Sequence, residues 1–259
     1  MDGLYLSRYS DNKEAPTLSD YFETPEEAVR HYGYLKQVYQ SISAKEVYSS
    51  YVFPWDCVVL TRSDVVLKMA DIAWMTNDIR RREELCTYLP ALESYNRASY
   101  IGIVLARTES KVEQEYVLQS LGDRSADIRD EAYKVLSEMS LSPEQYQHIE
   151  ELLRFKYSEM RINAINLLMK QPEAQLAASI RRLLSDKNAE RRLAGLDMMK
   201  SIRNVDFLKD SYQKLLSTVR EIQKPNAKEK ILIESLIGDG TEQSPTSNYT
   251  RENGFGLYD

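Results

Sequence analysis

The sequence predicts an all-α protein built from stacked helical hairpins. One spaced pattern recurs five times and begins at Leu89, Leu121, Leu153, Leu184 and Leu216. Only nine glycines and eight prolines occur in 259 residues, as suits a helical chain. Residues with helix-capping preferences also fall where the pattern places helix ends. Self-similarity at a fixed period indicates a repeat array, in which each unit buries its apolar face against its neighbours.

Each copy of the pattern covers 31 or 32 residues and is predicted to form two helices. A basic residue stands eight positions after each leading leucine, as Arg97, Arg129, Arg161, Arg192 and Lys224. An apolar residue stands fifteen positions after it, as Val104, Leu136, Leu168, Met199 and Ile231. At a helical period these positions border one stripe of the second helix. The basic residues are therefore predicted to form a structural ladder along the second helices.

The chain before the array divides into two predicted segments. Residues 1–23 mix charge and tyrosine without a period and are predicted to be an N-terminal arm. Residues 24–84 are predicted to be an N-terminal helical cap that contains a degenerate repeat. Thr24 and Glu27 have the spacing of a capping box, so a helix is expected from there to about residue 42.

The second half of the cap is also predicted to be helical. Residues 45–76 are expected to hold at least one more helix, with Pro54 breaking the run. Ser63 or Asp64 is the predicted cap of a helix from Val65 to Met75.

The array itself is predicted to cover residues 85–237. Ser142 and Gln145 have the spacing of a capping box at the start of the third copy, which marks a boundary independently of the leucines. After the array the composition changes to Gly, Ser, Thr and Pro. Residues 238–259 are therefore predicted to be a flexible tail or the start of a missing domain.

The pattern resembles the HEAT-like repeats, in which a turn bearing Asp precedes a second helix that opens near an Arg. Asp123 with Arg129 and Asp186 with Arg192 carry this resemblance. It implies a right-handed α-α superhelix, a HEAT-like solenoid of about five to six hairpins. The signatures of tetratricopeptide and ankyrin repeats are missing from the chain.

A second resemblance lies at the C-terminal end of the chain. Residues 253–259, which read Asn-Gly-Phe-Gly-Leu-Tyr-Asp, look like a segment of the large bacterial proteins called molybdate-metabolism regulators. Those proteins carry helical-repeat regions, and their biochemical role is unsettled. The resemblance implies that this chain is a module of a larger bacterial protein.

The sequence offers few residues suited to catalysis or metal binding. His31 and His148 are far apart and form no metal-binding motif, and Cys57 and Cys86 lack CxxC spacing. No phosphate-cradling glycine motif and no nucleophile-elbow motif occurs. The chain is therefore predicted not to be an enzyme, with no catalytic residues, no cofactor and no metal.

The charge balance restricts the predicted partners. A net charge of −6 disfavours a protein whose main task is to grip nucleic-acid phosphates. The densest basic run, Arg80 to Arg82, is followed directly by Glu83 and Glu84 and is predicted to be a solvated helix face. No secretory signal and no apolar run of membrane-spanning length occurs. A cytoplasmic protein without a membrane partner is expected.

The predicted working surface is the concave groove lined by the second helices. The residues expected to line it are Asp130, Glu131, Lys134, Asn163, Asn166 and Asp197. This strip is polar, and its asparagines suit hydrogen bonding to a peptide backbone. We expect a non-catalytic scaffold that binds a protein or peptide there.

Two other interpretations of the array stay open. A nucleic-acid-binding or DNA-repair-like HEAT module could use Trp55, Trp74 and Asp197 on damaged bases. The array could also be purely structural and hold neighbouring domains apart. Salt dependence separates the first of these from a peptide binder, because phosphate binding weakens steeply with added salt.

Overall fold

The structure, a computed structural model, describes residues 22–43, 48–53, 56–205 and 208–238. These residues form twelve α-helices and one β-hairpin, and the predicted all-α class is confirmed with that hairpin as its exception. The helices are α1 Pro25–Ser41, α2 Arg62–Met75, α3 Ile79–Leu85, α4 Ser94–Ile103, α5 Lys111–Ser120, α6 Ala126–Glu138, α7 Pro143–Leu152, α8 Ser158–Leu168, α9 Glu173–Leu184, α10 Ala189–Ile202, α11 Lys209–Arg220 and α12 Ala227–Ile237. The strands are β1 Tyr48–Phe53 and β2 Asp56–Leu60. The predicted arm and tail lie outside the described residues, except for residues 22, 23 and 238.

The first helix begins where the capping residues predict. The Thr24 side chain accepts a hydrogen bond from the backbone N–H of Glu27, and Pro25 occupies the first turn. The Glu27 carboxylate accepts instead from the N–H of Glu23, one residue before the cap. The helix ends at Ser41, as expected, and buries Ala28 and Tyr32.

The cap also contains a β-hairpin that the sequence analysis did not predict. β1 and β2 pair in antiparallel fashion, with Tyr48 opposite Leu60 and Tyr51 opposite Cys57. This stretch is rich in Tyr, Val and other residues that fit a pleated strand better than a helix. The helix predicted downstream is present as α2, but it starts at Arg62 and its cap is Thr61, which forms a capping box with Asp64. Ser63 and Asp64 are therefore not the cap.

The described helices fall into two compact units. Among the described residues, the first unit comprises those from 22 to 152 and 158–167, and the second comprises 153–157 and those from 168 to 238. In the first unit, α4 packs on α6, while α3 and α7 both pack on α5. In the second unit, α9 packs on α10 and α11, and α10 packs on α12. Within each unit, first helices thus contact first helices and second helices contact second helices, as in stacked hairpins.

The recurring apolar positions form the cores of these hairpins in four of the five copies. Leu89, Leu121, Leu153 and Leu184 are at most 4% exposed. The apolar positions fifteen residues later are buried as well, at Val104, Leu136, Leu168 and Met199. The regular spacing therefore identified real core positions up to α10.

The fifth copy does not follow the predicted register. Ile231, its expected core residue, is 67% exposed, and Lys224 lies in the connection before α12 rather than on the helix. The connection between α11 and α12 covers residues 221–226, whereas the one between α9 and α10 covers only 185–188. A fixed period cannot follow such a lengthened loop. Glu229 and Leu236 are the buried residues of α12 instead.

One carboxylate is buried in the helical cap. Asp71 lies on α2 among apolar residues and is 9% exposed, and its ion-pair partner is Lys68, with Nζ 3.9 Å from the Asp71 Oδ2. Burial raises the pKa of Asp71 to about 6, against a smaller lowering by Lys68. In the unfolded chain the pKa of an aspartate is about 3.9. The folded state therefore carries a growing penalty as the pH rises from about 4 to about 6.

A first prediction concerns Lys224, which has a positive φ of 52°. A side chain with a Cβ is disfavoured in this conformation, whereas glycine adopts it freely. Lys224→Gly should raise the free energy of unfolding by about 1 kcal/mol in urea titrations. Lys230→Gly, on the exposed face of α12, should lower it by about 1 kcal/mol because glycine weakens a helix interior. Equal effects of both changes would contradict the assignment of strain to Lys224.

A second prediction concerns the pH dependence of stability. Asp71→Asn should raise the free energy of unfolding at pH 8 by about 3 kcal/mol, because it removes the cost of burying the charge. At pH 4 the gain should be small, since Asp71 is then protonated in the folded state. Glu138→Gln, at the exposed end of α6, serves as the control and should change little at either pH. A gain that is the same at pH 4 and pH 8 would refute this assignment.

Candidate partner-binding groove and its arginine ladder

Arg129 and Arg192 perform the same structural task in their hairpins. Nη1 of Arg129 donates to the carbonyl oxygens of Asp123 and Arg124, at 3.0 Å each. Nη1 of Arg192 donates to the carbonyl oxygens of Asp186 and Lys187, at 2.9 and 2.8 Å. Each arginine stands early in a second helix and folds back over the turn that precedes it. The guanidinium satisfies turn carbonyls that would otherwise lack partners.

The ladder arginines also reach acids of the next hairpin. Nε of Arg192 donates to Oε1 of Glu229 at 2.7 Å, and Glu229 is fully buried. Nη2 of Arg97 donates to Oδ2 of Asp123 at 2.9 Å. Nη2 of Arg129 lies 3.7 Å from Oε2 of Glu159, which is a longer and more exposed ion pair. The first two contacts join neighbouring hairpins through charge-assisted hydrogen bonds, and the third does so as an ion pair only.

The other two predicted ladder positions are Arg161 and Lys224. Arg161 lies half-buried on α8. Lys224 does not belong to the ladder, because it sits in the connection before α12. The N-terminal turn of α12 is closed by Asn226 and Glu229, which form a capping box. The longer loop before α12 therefore shifts Ile231 out of the expected core position and Lys224 out of the expected helix position.

Arg82, in the basic run Arg80 to Arg82, forms an ion pair that the sequence analysis did not predict. Nε and Nη2 of Arg82 donate to the two carboxylate oxygens of Glu113, at 2.9 and 2.7 Å. The Glu113 side chain is fully buried and that of Arg82 is 16% exposed, so Arg82 is not the solvated residue that was predicted. Arg82 and Glu113 are 31 residues apart, which is one repeat. The spacing of one repeat between an arginine and a glutamate is the feature of the sequence that could have indicated this pair.

Three of the predicted groove residues lie together in the first unit. Asp130, Glu131 and Lys134 line an opening of about 360 Å³ between α4 and α6. Its other lining residues are Tyr95, Ala98, Ser99 and Asp127. We call this opening the α4–α6 groove. It combines three carboxylates, one ammonium group and a tyrosine that is 63% exposed.

The shape of the α4–α6 groove depends on a glycine. A Cβ placed on Gly102 of α4 would lie 2.5 Å from Oε2 of Glu131 on α6. The absence of a side chain therefore lets the Glu131 carboxylate lie directly against α4. Glu131 also accepts a hydrogen bond from Nζ of Lys134 at 2.6 Å, and this bond raises the pKa of Lys134.

The remaining groove residues are placed differently. Asn163 on α8 is half-buried beside Arg129, Met160 and Ala164, at a space of only about 10 Å³. Asn166 is exposed on the same helix. Asp197 is half-buried on α10 and belongs to the second unit. Five of the six predicted residues therefore lie in the first unit, and three of them share one opening.

Two titratable side chains in the helix cores, Cys86 and Tyr100, are held in their neutral forms by burial. Burial, with the nearby Glu113 carboxylate as a further cause, raises the pKa of the Cys86 thiol to about 12. Burial likewise raises the pKa of Tyr100 well above its usual range.

Within the described ranges, no group of three or more His, Cys, Asp or Glu side chains is arranged to hold a metal ion. None of the twelve described helices is long and apolar enough to cross a membrane.

The fold and these contacts define a helical-hairpin protein whose neighbouring hairpins are joined by arginine–carboxylate pairs. The chain belongs to a family of unknown function (DUF5724), whose model matches residues 1–259. A search of curated proteins and a search of solved structures each found no significant match.

A third prediction tests the ladder at Arg192. Arg192→Met should lower the free energy of unfolding by about 3–5 kcal/mol, because it leaves the Glu229 carboxylate buried without its charge partner. The double variant Arg192→Met/Glu229→Gln should recover much of this loss, since no buried charge remains. Arg124→Met, an exposed arginine in a turn, is the control and should cost less than about 0.5 kcal/mol. Identical stabilities of the single and double variants would show that the pair does not act as proposed.

Proposed function

We propose that this chain is a non-catalytic, HEAT-like scaffold that binds a protein or peptide segment along its second helices. The observation that carries this proposal is the α4–α6 groove, where an exposed tyrosine stands beside polar side chains on two packed helices. Tyrosine is enriched at the centres of protein interfaces, because it offers a large, rigid contact area with a polar edge.

The groove suits a peptide backbone better than a nucleic acid. The carboxylates of Asp127, Asp130 and Glu131 are acceptors for backbone or side-chain N–H groups, and Lys134 is a donor for carbonyls. The same carboxylates would repel a phosphate backbone. The net charge of −6 also disfavours binding of a phosphate backbone. The nucleic-acid interpretation is therefore the weaker one for this surface.

The ladder supports a binding role because it makes the groove rigid. Arg97 of α4 is tied to Asp123 in the turn before α6, and Arg129 of α6 is tied to that same turn. The two helices that line the groove are thus held by one shared turn. A site on rigid elements loses less conformational entropy on binding than a site on loops. The HEAT-like resemblance supports the same role, since the turn acid and the helix arginine are the residues that carry it.

A fourth prediction tests the groove. Peptides selected from a random library on the full chain should bind Tyr95→Ala about thirtyfold more weakly, as expected for loss of a central aromatic contact. Gly102→Ala should also weaken binding, because its methyl group would displace the Glu131 carboxylate into the groove. Fluorescence anisotropy with labelled peptide measures both effects. Circular dichroism melting curves should show that both variants stay folded.

Tyr157→Ala is the matched control. Tyr157 is 67% exposed, much as Tyr95 is, but it lies between α7 and α8 and does not line the groove. Its replacement should leave the affinity unchanged. The proposal would be contradicted if the selected peptides bound Tyr95→Ala and Gly102→Ala as tightly as they bind the wild type and the Tyr157→Ala control. Selection of peptides whose binding disappears steeply with added salt would favour a purely electrostatic contact instead.

A further inference from the structure

A second, chemically different cleft lies in the second unit. It has a volume of about 570 Å³ and runs along α11, beside the C-terminal ends of α10 and α12. We propose that this cleft, here called the α11 cleft, is a docking site for an acidic, amphipathic segment of a partner protein. It is independent of the α4–α6 groove, with which it shares no residue.

The rim of the α11 cleft is cationic. Arg203, Lys209 and Arg220 line it, and Asp210 is the one acid among the lining residues that the structure describes. This excess of positive charge occurs in a chain whose net charge is −6, so the cleft differs in sign from the protein as a whole. A local charge opposite to the global one attracts acidic groups to that place.

One rim arginine is held in place by the fold. Nη1 of Arg203 donates to the carbonyl oxygen of Ser235 near the end of α12, at 3.0 Å. Arg203 directly follows α10, so this bond ties the ends of α10 and α12 together at the cleft. Arginine presents several N–H groups in a rigid fork, and the remaining donors suit a carboxylate.

The floor of the α11 cleft contains apolar side chains. Tyr212 and Leu236 are buried there, and Tyr212 donates its hydroxyl to the Leu236 carbonyl at 3.4 Å. Leu216 is half-buried and Ile237 is 37% exposed at the same opening. An apolar side chain of a ligand would bury surface against Leu216 and Ile237, which are partly exposed.

The combination of rim and floor selects the class of ligand. A segment with carboxylates beside apolar side chains would place its carboxylates on the cationic rim and its apolar side chains on the floor. A nucleic acid would use the rim but would leave the apolar floor without a matching group. Asp210 and the net charge of −6 would also oppose it. An acidic protein segment therefore matches more of the cleft than a nucleic acid does.

The test measures binding of a fluorescein-labelled peptide of repeating Glu-Leu-Glu-Phe to the full chain by fluorescence anisotropy. Lys209→Glu and Arg220→Glu should each weaken binding about tenfold or more, because they place like charges on the rim. Leu216→Gln should weaken it as well, since it makes the floor polar. Lys209 and Arg220 are exposed, so the charge variants should keep the helical circular dichroism of the wild type.

Lys187→Glu is the control for net charge. Lys187 is exposed in the turn between α9 and α10, does not line the cleft, and its reversal should leave the affinity unchanged. Wild-type affinity in Lys209→Glu and Arg220→Glu would overturn the proposal. It would also be overturned if a single-stranded oligonucleotide of equal charge bound more tightly than the peptide. Self-association that these variants abolish in sedimentation runs would assign the cleft to a second copy and would overturn it too.

Discussion

A carboxylate buried between neighbouring hairpins is the constraint on which the rest of this structure depends. Glu113 and Glu229 are fully buried, and each is paired with an arginine of the preceding hairpin, Arg82 and Arg192. Such a pair adds little net stability compared with apolar packing, but breaking it is costly. A hairpin that slipped along its neighbour would leave a buried charge without its partner. The pairs therefore specify how one hairpin sits on the next more than they strengthen the stack.

The candidate binding surfaces follow from this arrangement. Once α4 and α6 are held side by side through the turn at Asp123, Gly102 faces Glu131 and Tyr95 stands at the edge of a polar groove. In the second unit, the bond from Arg203 to the Ser235 carbonyl joins the ends of α10 and α12 beside the α11 cleft. In both places, contacts that hold helices together also hold the side chains that would meet a ligand.

The two surfaces have opposite charge, which the net charge of the chain conceals. Three carboxylates line the α4–α6 groove, whereas three cationic side chains line the α11 cleft. Electrostatic complementarity mainly controls which partner is admitted and how fast it associates. We infer that the two surfaces would select different segments.

The sequence by itself determined the helical class, the buried recurring positions up to α10, the cap at Thr24 and the positions of Arg97, Arg129 and Arg192. These features repeat at a helical period, and a periodic pattern records which face of a helix each residue occupies. Only the tertiary structure revealed the β-hairpin at Tyr48–Leu60, the register of α12 and the pairing of Arg82 with Glu113. The grouping of Asp130, Glu131 and Lys134 with Tyr95 likewise required it. Contacts between elements depend on loop lengths and on how hairpins stack, and the local periodicity of a sequence contains neither.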